Sequence, residues 1–393
     1  MISVDEALAR VLALADPPQP ETVALRRAAG RVLVQPVTAR RDQPPFDASA
    51  MDGYAIRDED HAPGAVLTVI GEAGAGHGFA GTPGPGEAVR IFTGAPVPAG
   101  ASRVVLQEDV ARDGARITLG DRLEAARHIR PRGQDFRDGD TIAAPRLLRP
   151  ADVALIASMN VATVTVARAP EVAILATGDE LVMPGEDPAP DQIVASNSFA
   201  LAAMAEAAGA RVRMLPLGRD SRESLHQAFA LAAGADLIVT IGSASVGDHD
   251  LVGAVAEELG MQRAFWKIAL RPGKPLMAGR LGTARLLGLP GNPVSAIVCG
   301  HLFLLPLLAR MQGLPGEIRT LQAELAADLP ANGPRAHYMR AHLAPGAALP
   351  RITPADSQDS ARLRLLSEAD ALLVRPVGDG PRRAGEVVGY IPI

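Results

Sequence analysis

The 393-residue chain has one cysteine, one tryptophan and three tyrosines, and aromatic residues make up 3% of it. The single thiol, Cys299, excludes an internal disulfide framework and fits a reducing compartment. It stands in an apolar run after Ser295, where a small core residue is a better reading than a nucleophile. So few aromatics leave stacking platforms for single-stranded nucleic acid scarce. A net charge of −5 argues against a general binder of phosphate backbones. The eight histidines are scattered, and no His or Cys pair has zinc spacing. No 18-residue uncharged apolar run suggests a membrane span. Asp5, Glu6 and Arg10 lie among Val4, Leu8, Val11 and Leu12 at helical spacing, so the first residues read as an amphipathic helix, not a targeting peptide. Repeats and low-complexity segments are also lacking. The expectation is a soluble cytoplasmic protein that binds neither nucleic acid nor membrane.

What is present is ample apolar material, 48% of the residues, in a length that suits two to four domains at about 150 residues each. An amphipathic helix and a strand-like Arg31-Val-Leu-Val-Gln precede the Pro-rich Asp42-Gln-Pro-Pro. Residues 62–127 alternate short β-rich runs with Gly and Pro, as a small all-β domain does. The charged stretch from His128, a helix after Pro150 and a strand at 161–166 match the N-terminal segment better than the β-region. The predicted plan is therefore a split N-terminal domain (1–45 and 128–168) with an inserted β-domain (46–127). From Glu171 strands and helices alternate to about residue 314, which implies an open, mostly parallel sheet. After that, short strands predict a C-terminal β-barrel or sandwich over 315–393. The fold class is α/β plus β, multidomain.

Ligands of open parallel sheets sit outside the carboxyl ends of the strands. Thr177-Gly-Asp-Glu, Asp220, the Gly242–Asp250 loop and Leu289-Pro-Gly-Asn-Pro all fall at such ends. The apolar run Leu237–Ile241 leads into Gly242-Ser-Ala-Ser-Val-Gly-Asp-His-Asp and then a helix from about residue 250. A strand, a Gly/Ser loop and a helix N-terminus describe a phosphate cradle or, equally, a tight turn. Among the acidic candidates Asp52, Asp135, Asp179, Glu180, Asp220, Asp248 and Asp250, hard cations such as Mg²⁺ find oxygen ligands. Asp220, directly before Ser221, is as good a helix cap as a ligand. Basic candidates are Lys267, Arg271, Lys274, Arg340 and the pair Arg130 and Arg132. Arg271-Pro-Gly-Lys-Pro could turn two cations toward one oxyanion. No Ser-His-Asp order, Walker motif or dinucleotide fingerprint is present. The residues alone reach an anion-handling α/β enzyme, metal-assisted, of unknown substrate.

Phe46-Asp-Ala-Ser-Ala-Met-Asp-Gly-Tyr-Ala, Thr93-Gly-Ala-Pro-Val-Pro, Thr177-Gly-Asp-Glu-Leu, Ser245-Val-Gly-Asp, Arg271-Pro-Gly-Lys-Pro and Gly288-Leu-Pro-Gly-Asn-Pro-Val-Ser-Ala occur in that order. Over essentially its whole length the chain resembles the MoeA-type molybdopterin molybdenumtransferases, relatives of the gephyrin E domain. The resemblance implies an elongated homodimer with four domains per subunit. It also implies insertion of molybdenum from molybdate into adenylylated molybdopterin, with release of AMP and a need for Mg²⁺. By similarity Asp52, Asp135, Glu180, Asp220 and Asp250 are the catalytic carboxylates, of which Glu180, Asp220 and Asp250 hold the metal. Thr93, Asp179, Gly242, Ser243, Ser245, Gly247, Asp248, Lys267, Pro290, Gly291 and Asn292 would bind the pterin substrate. Arg271, Lys274, Pro275, Ser295, Arg340 and Ser360 would hold molybdate. The acidic set and the cation set are expected to meet across a subunit boundary. Further implied partners are the molybdopterin adenylyltransferase and molybdoenzyme chaperones.

The chain departs from the family pattern at three points. Ser243 stands where a second Gly is usual, Arg271 where Lys is usual, and Asp359 where Gly is common before Ser360. These departures keep a weakly catalytic molybdopterin carrier open as an alternative. The adenylyltransferase shares the α/β domain but leaves the other domains unexplained.

Overall fold

The structure is a computed structural model and describes residues 1–242 and 251–393. They gather into two compact units. One comprises Met1–Glu21, Gly30–Val34 and Val166–Ile393; the other comprises Thr22–Ala29 and Gln35–Thr165.

The first unit is built on a six-stranded sheet in the order Arg211–Met214, Glu171–Ala176, Leu237–Ile241, Ala284–Leu289, Met277–Leu281, Gln262–Trp266. The first four strands run parallel; Met277–Leu281 runs antiparallel to them, and Gln262–Trp266 pairs antiparallel with it. Side chains alternate across a strand, and here the alternation feeds two cores. Val172, Ile174, Val239, Ile241, Leu287 and Leu289 enter one, while Ala173, Ile238 and Leu286 enter the other. The helices Val4–Leu12, Asn197–Ala207 and Pro293–Cys299 cover the first face; Arg222–Leu231 and Leu251–Glu258 cover the second. A parallel sheet buried on both faces has near-continuous apolar strands, which is why these segments are legible in sequence. The antiparallel pair Met277–Leu281 and Gln262–Trp266 was not, because Gly279 and Gln262 dilute its pattern.

Five strands close the C-terminal barrel, passing from Ala336–Ala344 through Arg351–Pro354, Leu321–Leu325, Val387–Pro392 and Ala371–Arg375 back to the first. Its inward residues, among them Leu325, Ile352, Leu373 and Tyr390, form their own core. The outward Tyr338, Leu372 and Ile391 join the core of the α/β region. The α/β region and the barrel thus share one apolar interior.

The helical run Pro293–Met311 lies in that interior. It has 19 residues and a mean hydropathy of 1.8, long and apolar enough to cross a membrane by length and composition, although no such run stood out in the sequence. Inside the protein 67% of it is buried, so packing against helix and barrel accounts for its composition. Pro306 has no N–H to give, and the run takes a wider turn at Gly300–Leu304, where the Leu305 N–H reaches the Gly300 carbonyl. A Cβ on Gly300 would fall 2.9 Å from Met204, so glycine sets how closely the helix Asn197–Ala207 can pack.

The second unit carries a curled six-stranded sheet in the order Arg103–Leu106, Gly53–Ile56, Glu87–Ile91, Val66–Ala73, Arg116–Leu119, Val110–Asp113. Gly53 looks like a chain breaker in sequence, yet it opens a strand paired on both sides. A Cβ there would lie 1.9 Å from the Val105 carbonyl oxygen, so only glycine permits the pairing.

In the same unit the helix Pro150–Ser158 starts on a buried carboxylate. Asp152 accepts from the Arg149 backbone N–H at 2.8 Å and from Arg146 Nη2 at 2.6 Å. These bonds, the backbone one first, hold its pKa down to about 2. An unfolded aspartate titrates at about 4. The stabilisation is therefore full above that value and is lost as pH falls toward 2. Asp152→Asn should lower stability at neutral pH, and its gap from the parent in denaturant titrations should close in acid. A gap that stays constant down to about pH 2 would contradict the assignment.

Candidate active site

A cavity of about 960 Å³ opens at the carboxyl edge of the parallel sheet, inside the first unit. The strand ends that frame it are tied to each other beyond the sheet. The Thr177 N–H bonds the Ile241 carbonyl at 2.9 Å, and the Gly242 N–H bonds the Leu289 carbonyl at 3.3 Å. Gly242 takes φ +103°, and a Cβ on it would sit 2.4 Å from the Thr177 carbonyl oxygen. Glycine is what lets these two chain segments touch.

Carboxylates occupy one side. Glu180 and Asp220 line the cavity, and Asp179 stands just behind, its Oδ1 accepting from the Asp220 N–H at 3.2 Å. Ser221, not Asp220, caps the helix Arg222–Leu231, its Oγ accepting from the Ser224 N–H at 3.2 Å. The cap is therefore Ser221, and the Asp220 carboxylate takes no part in it. Burial, then the negative charges of Asp179 and Glu180, push its pKa up. Like charges gathered in this way favour a cation or a proton among them. Among the described residues no three His, Cys, Asp or Glu side chains converge as a metal cluster. Asp250, the third expected metal ligand, lies outside the described residues, as do Ser243, Ser245, Gly247 and Asp248.

Cations and hydroxyls occupy the other side. Arg271, Lys274, Pro275, Ser295 and Ser360 line the cavity together with Pro290, Gly291 and Asn292. Gly273, at φ +112°, turns the Arg-Pro-Gly-Lys segment, and a Cβ there would meet Cys299 Sγ at 2.5 Å. Cys299 is fully buried with its thiol pushed up by desolvation, so it is a packing residue under this turn. Ser360 is held twice: Asn292 Nδ2 donates to its Oγ at 3.1 Å, and the Val294 N–H donates to its carbonyl at 3.2 Å.

The remaining expected residues fall elsewhere. Arg340 is 1% exposed and does not line the cavity; its guanidinium bonds the carbonyls of Asp359 at 2.8 Å, Ser357 at 3.0 Å and Arg362 at 3.3 Å. It clamps residues 357–362 from behind. Lys267 also lies off the cavity wall, its Nζ 3.6 Å from the centre of the Trp266 ring. In the second unit Asp52 Oδ1 accepts from both the N–H and the O–H of Thr93 at 2.8 Å, which depresses its pKa. Asp135, in the same unit, is exposed.

Arg335, Asn197 and Gln358 are among the lining residues that the sequence did not point to. Arg335 arrives because the strand Ala336–Ala344 pairs in parallel with Leu270–Arg271, a contact between distant segments that leaves no local signal. Asn197 braces the Pro-Gly-Asn turn, its Nδ2 bonding the Gly291 carbonyl at 2.6 Å. Gln358 exchanges hydrogen bonds with the Arg340 backbone at 3.0 Å in each direction. One sequence signal was available: of 39 basic residues only Lys267 and Lys274 are lysines, and both stand in the Trp-Lys…Arg-Pro-Gly-Lys stretch.

Fold and cavity together define an α/β protein whose cavity brings a carboxylate edge and a cation edge together at the ends of a parallel sheet. Comparison with known proteins narrows this class. The MoeA N-terminal region (domain I and II) matches residues 2–160, a probable molybdopterin-binding domain matches 173–310, and the MoeA C-terminal region (domain IV) matches 322–393. The molybdopterin molybdenumtransferase of Haemophilus influenzae is 38% identical over 80% of this chain and 78% of its own length. That of Bacillus subtilis is 34% identical over 100% of this chain and 94% of its own. A molybdopterin biosynthesis MoeA protein from Pyrococcus horikoshii superposes over the full length of both chains with a TM-score of 0.85 at 28% identity. The chain belongs to the MoeA family of molybdopterin molybdenumtransferases.

Removal of the Arg340 clamp should be visible without any substrate. Arg340→Ala leaves several carbonyls unpaired, at about 1–3 kcal/mol. Amide exchange over residues 357–362 should accelerate while the barrel strands stay protected; unchanged exchange in that segment would refute the clamp.

Proposed function

We propose that this chain inserts molybdenum from molybdate into adenylylated molybdopterin and releases AMP, within molybdenum cofactor biosynthesis. The observation that carries this reading is the single cavity with carboxylates on one side and Arg271, Lys274 and Ser360 on the other. A phosphoanhydride with its metal suits the first side and a tetrahedral dianion the second. Arg271 offers a planar fork of donors, Lys274 a compact charge, and Ser360 a neutral donor steadied by Asn292.

The burial and the neighbouring negative charges that raise the Asp220 pKa make its surroundings a fitting place for Mg²⁺, with Glu180, Asp220 and Asp250 as the holding residues. Bound there, Mg²⁺ would neutralise the phosphoanhydride and favour departure of AMP. The residues of the chain hold and orient: the fixed strand ends set the distance between the two edges, and the Asn197-braced turn keeps Gly291 and Asn292 in place. We assign Asp52, Thr93 and Asp135 to the site of the partner subunit in a homodimer. A reducing cytoplasm suits the lone buried thiol.

Purified protein given adenylylated molybdopterin, Mg²⁺ and molybdate should release AMP and yield active cofactor. Tight binding of the substrate without AMP would favour a carrier instead. Asp220→Asn should reduce turnover by about 100-fold with folding intact; full activity would remove Asp220 from the mechanism. If the sites are shared between subunits, co-expressed Asp52→Asn and Asp220→Asn chains should regain about a quarter of wild-type turnover, since half the dimers would carry one intact site. No recovery would place both residues in the same subunit's site.

A further inference from the structure

One carboxylate lines the cavity beside the cations. Asp359 shares the wall with Arg271, Lys274, Arg335 and Ser360. Its Oδ1 accepts from the Ala361 N–H at 3.0 Å, and among the described residues its second oxygen has no hydrogen-bond donor. The residue cannot easily withdraw: Arg340 Nη1 holds its carbonyl at 2.8 Å, and Ser360 beside it is tied to Asn292 and Val294. None of the roles assigned above uses this negative charge.

Its chemistry distinguishes two kinds of tetrahedral oxyanion. Molybdate near neutral pH carries no proton, so its oxygens only accept hydrogen bonds. Arg, Lys and Ser satisfy them, and a carboxylate can only repel them. Inorganic phosphate still carries an O–H that can donate to a carboxylate while its other oxygens use the same cations. We propose that Asp359 sets the oxyanion selectivity of this wall, weakening molybdate and admitting phosphate as a direct competitor. The inference rests on the reading that molybdate occupies the cation side.

The test is equilibrium dialysis of the full chain with radiolabelled molybdate, with and without inorganic phosphate, for the parent and for Asp359→Asn. The amide keeps an acceptor for the Ala361 N–H, so the turn survives. Asp359→Ser, whose hydroxyl can also accept, serves if the first variant fails to fold. Removing the charge should tighten molybdate about three- to tenfold and weaken phosphate competition relative to it. Equal gains for both anions would overturn the selectivity, as would no change in either or no phosphate competition in the parent. AMP release by the parent is scored separately. If the parent releases AMP and the variant leaves both affinities unchanged, only this inference falls. If the anion preference shifts but the parent releases no AMP, only the proposed reaction falls.

Discussion

The parallel register of three strands, Glu171–Ala176, Leu237–Ile241 and Ala284–Leu289, is the constraint on which the site depends. Parallel pairing ends all three at one edge, and the backbone bonds from Thr177 and Gly242 carry the alignment into the loops. Nothing bulkier than glycine fits at 242, because the Thr177 carbonyl already occupies the place of a side chain. Charged residues far apart in sequence are therefore delivered to one cavity by the sheet, and their separation is set by strand spacing rather than by side-chain choice.

Charge division within the cavity follows from which elements reach each side. Glu180 and Asp220 come from the loops after the first two parallel strands. The cations come from a Pro-Gly turn and from the entry to the barrel. The barrel serves two purposes here. Its outward side chains complete the core of the α/β region, and its Arg340 fixes the loop that presents Asp359 and Ser360. Buried and fully engaged, Arg340 acts on the cavity through the backbone it holds. An arginine suits this task because its planar fork bonds several carbonyls at once.

Much of this was legible in the sequence. The apolar strands around residues 172, 239 and 287 announce a sheet covered on both faces, and the Gly- and Pro-rich motifs fall at their ends. The glycine at 242 and the Arg-Pro-Gly-Lys turn, both singled out by their residue types, lie on the cavity wall. What stayed hidden depends on contacts between distant segments. Arg335 reaches the cavity only through barrel pairing, and Arg340 looks like any other free cation until its carbonyl partners are known. Gly53 misleads for a related reason: the Val105 carbonyl that demands it lies some fifty residues away. The two lysines in a chain that otherwise uses arginine mark the right stretch, although only Lys274 lines the cavity.

The most direct test of the divided cavity is a crystal structure of the protein soaked with molybdate and AMP, with molybdenum located by its anomalous scattering. The predicted result is a molybdenum peak among Arg271, Lys274 and Ser360, with the AMP phosphate on the side of Glu180 and Asp220. Molybdenum bound away from those cations, or AMP seated among them, would contradict the division of the cavity.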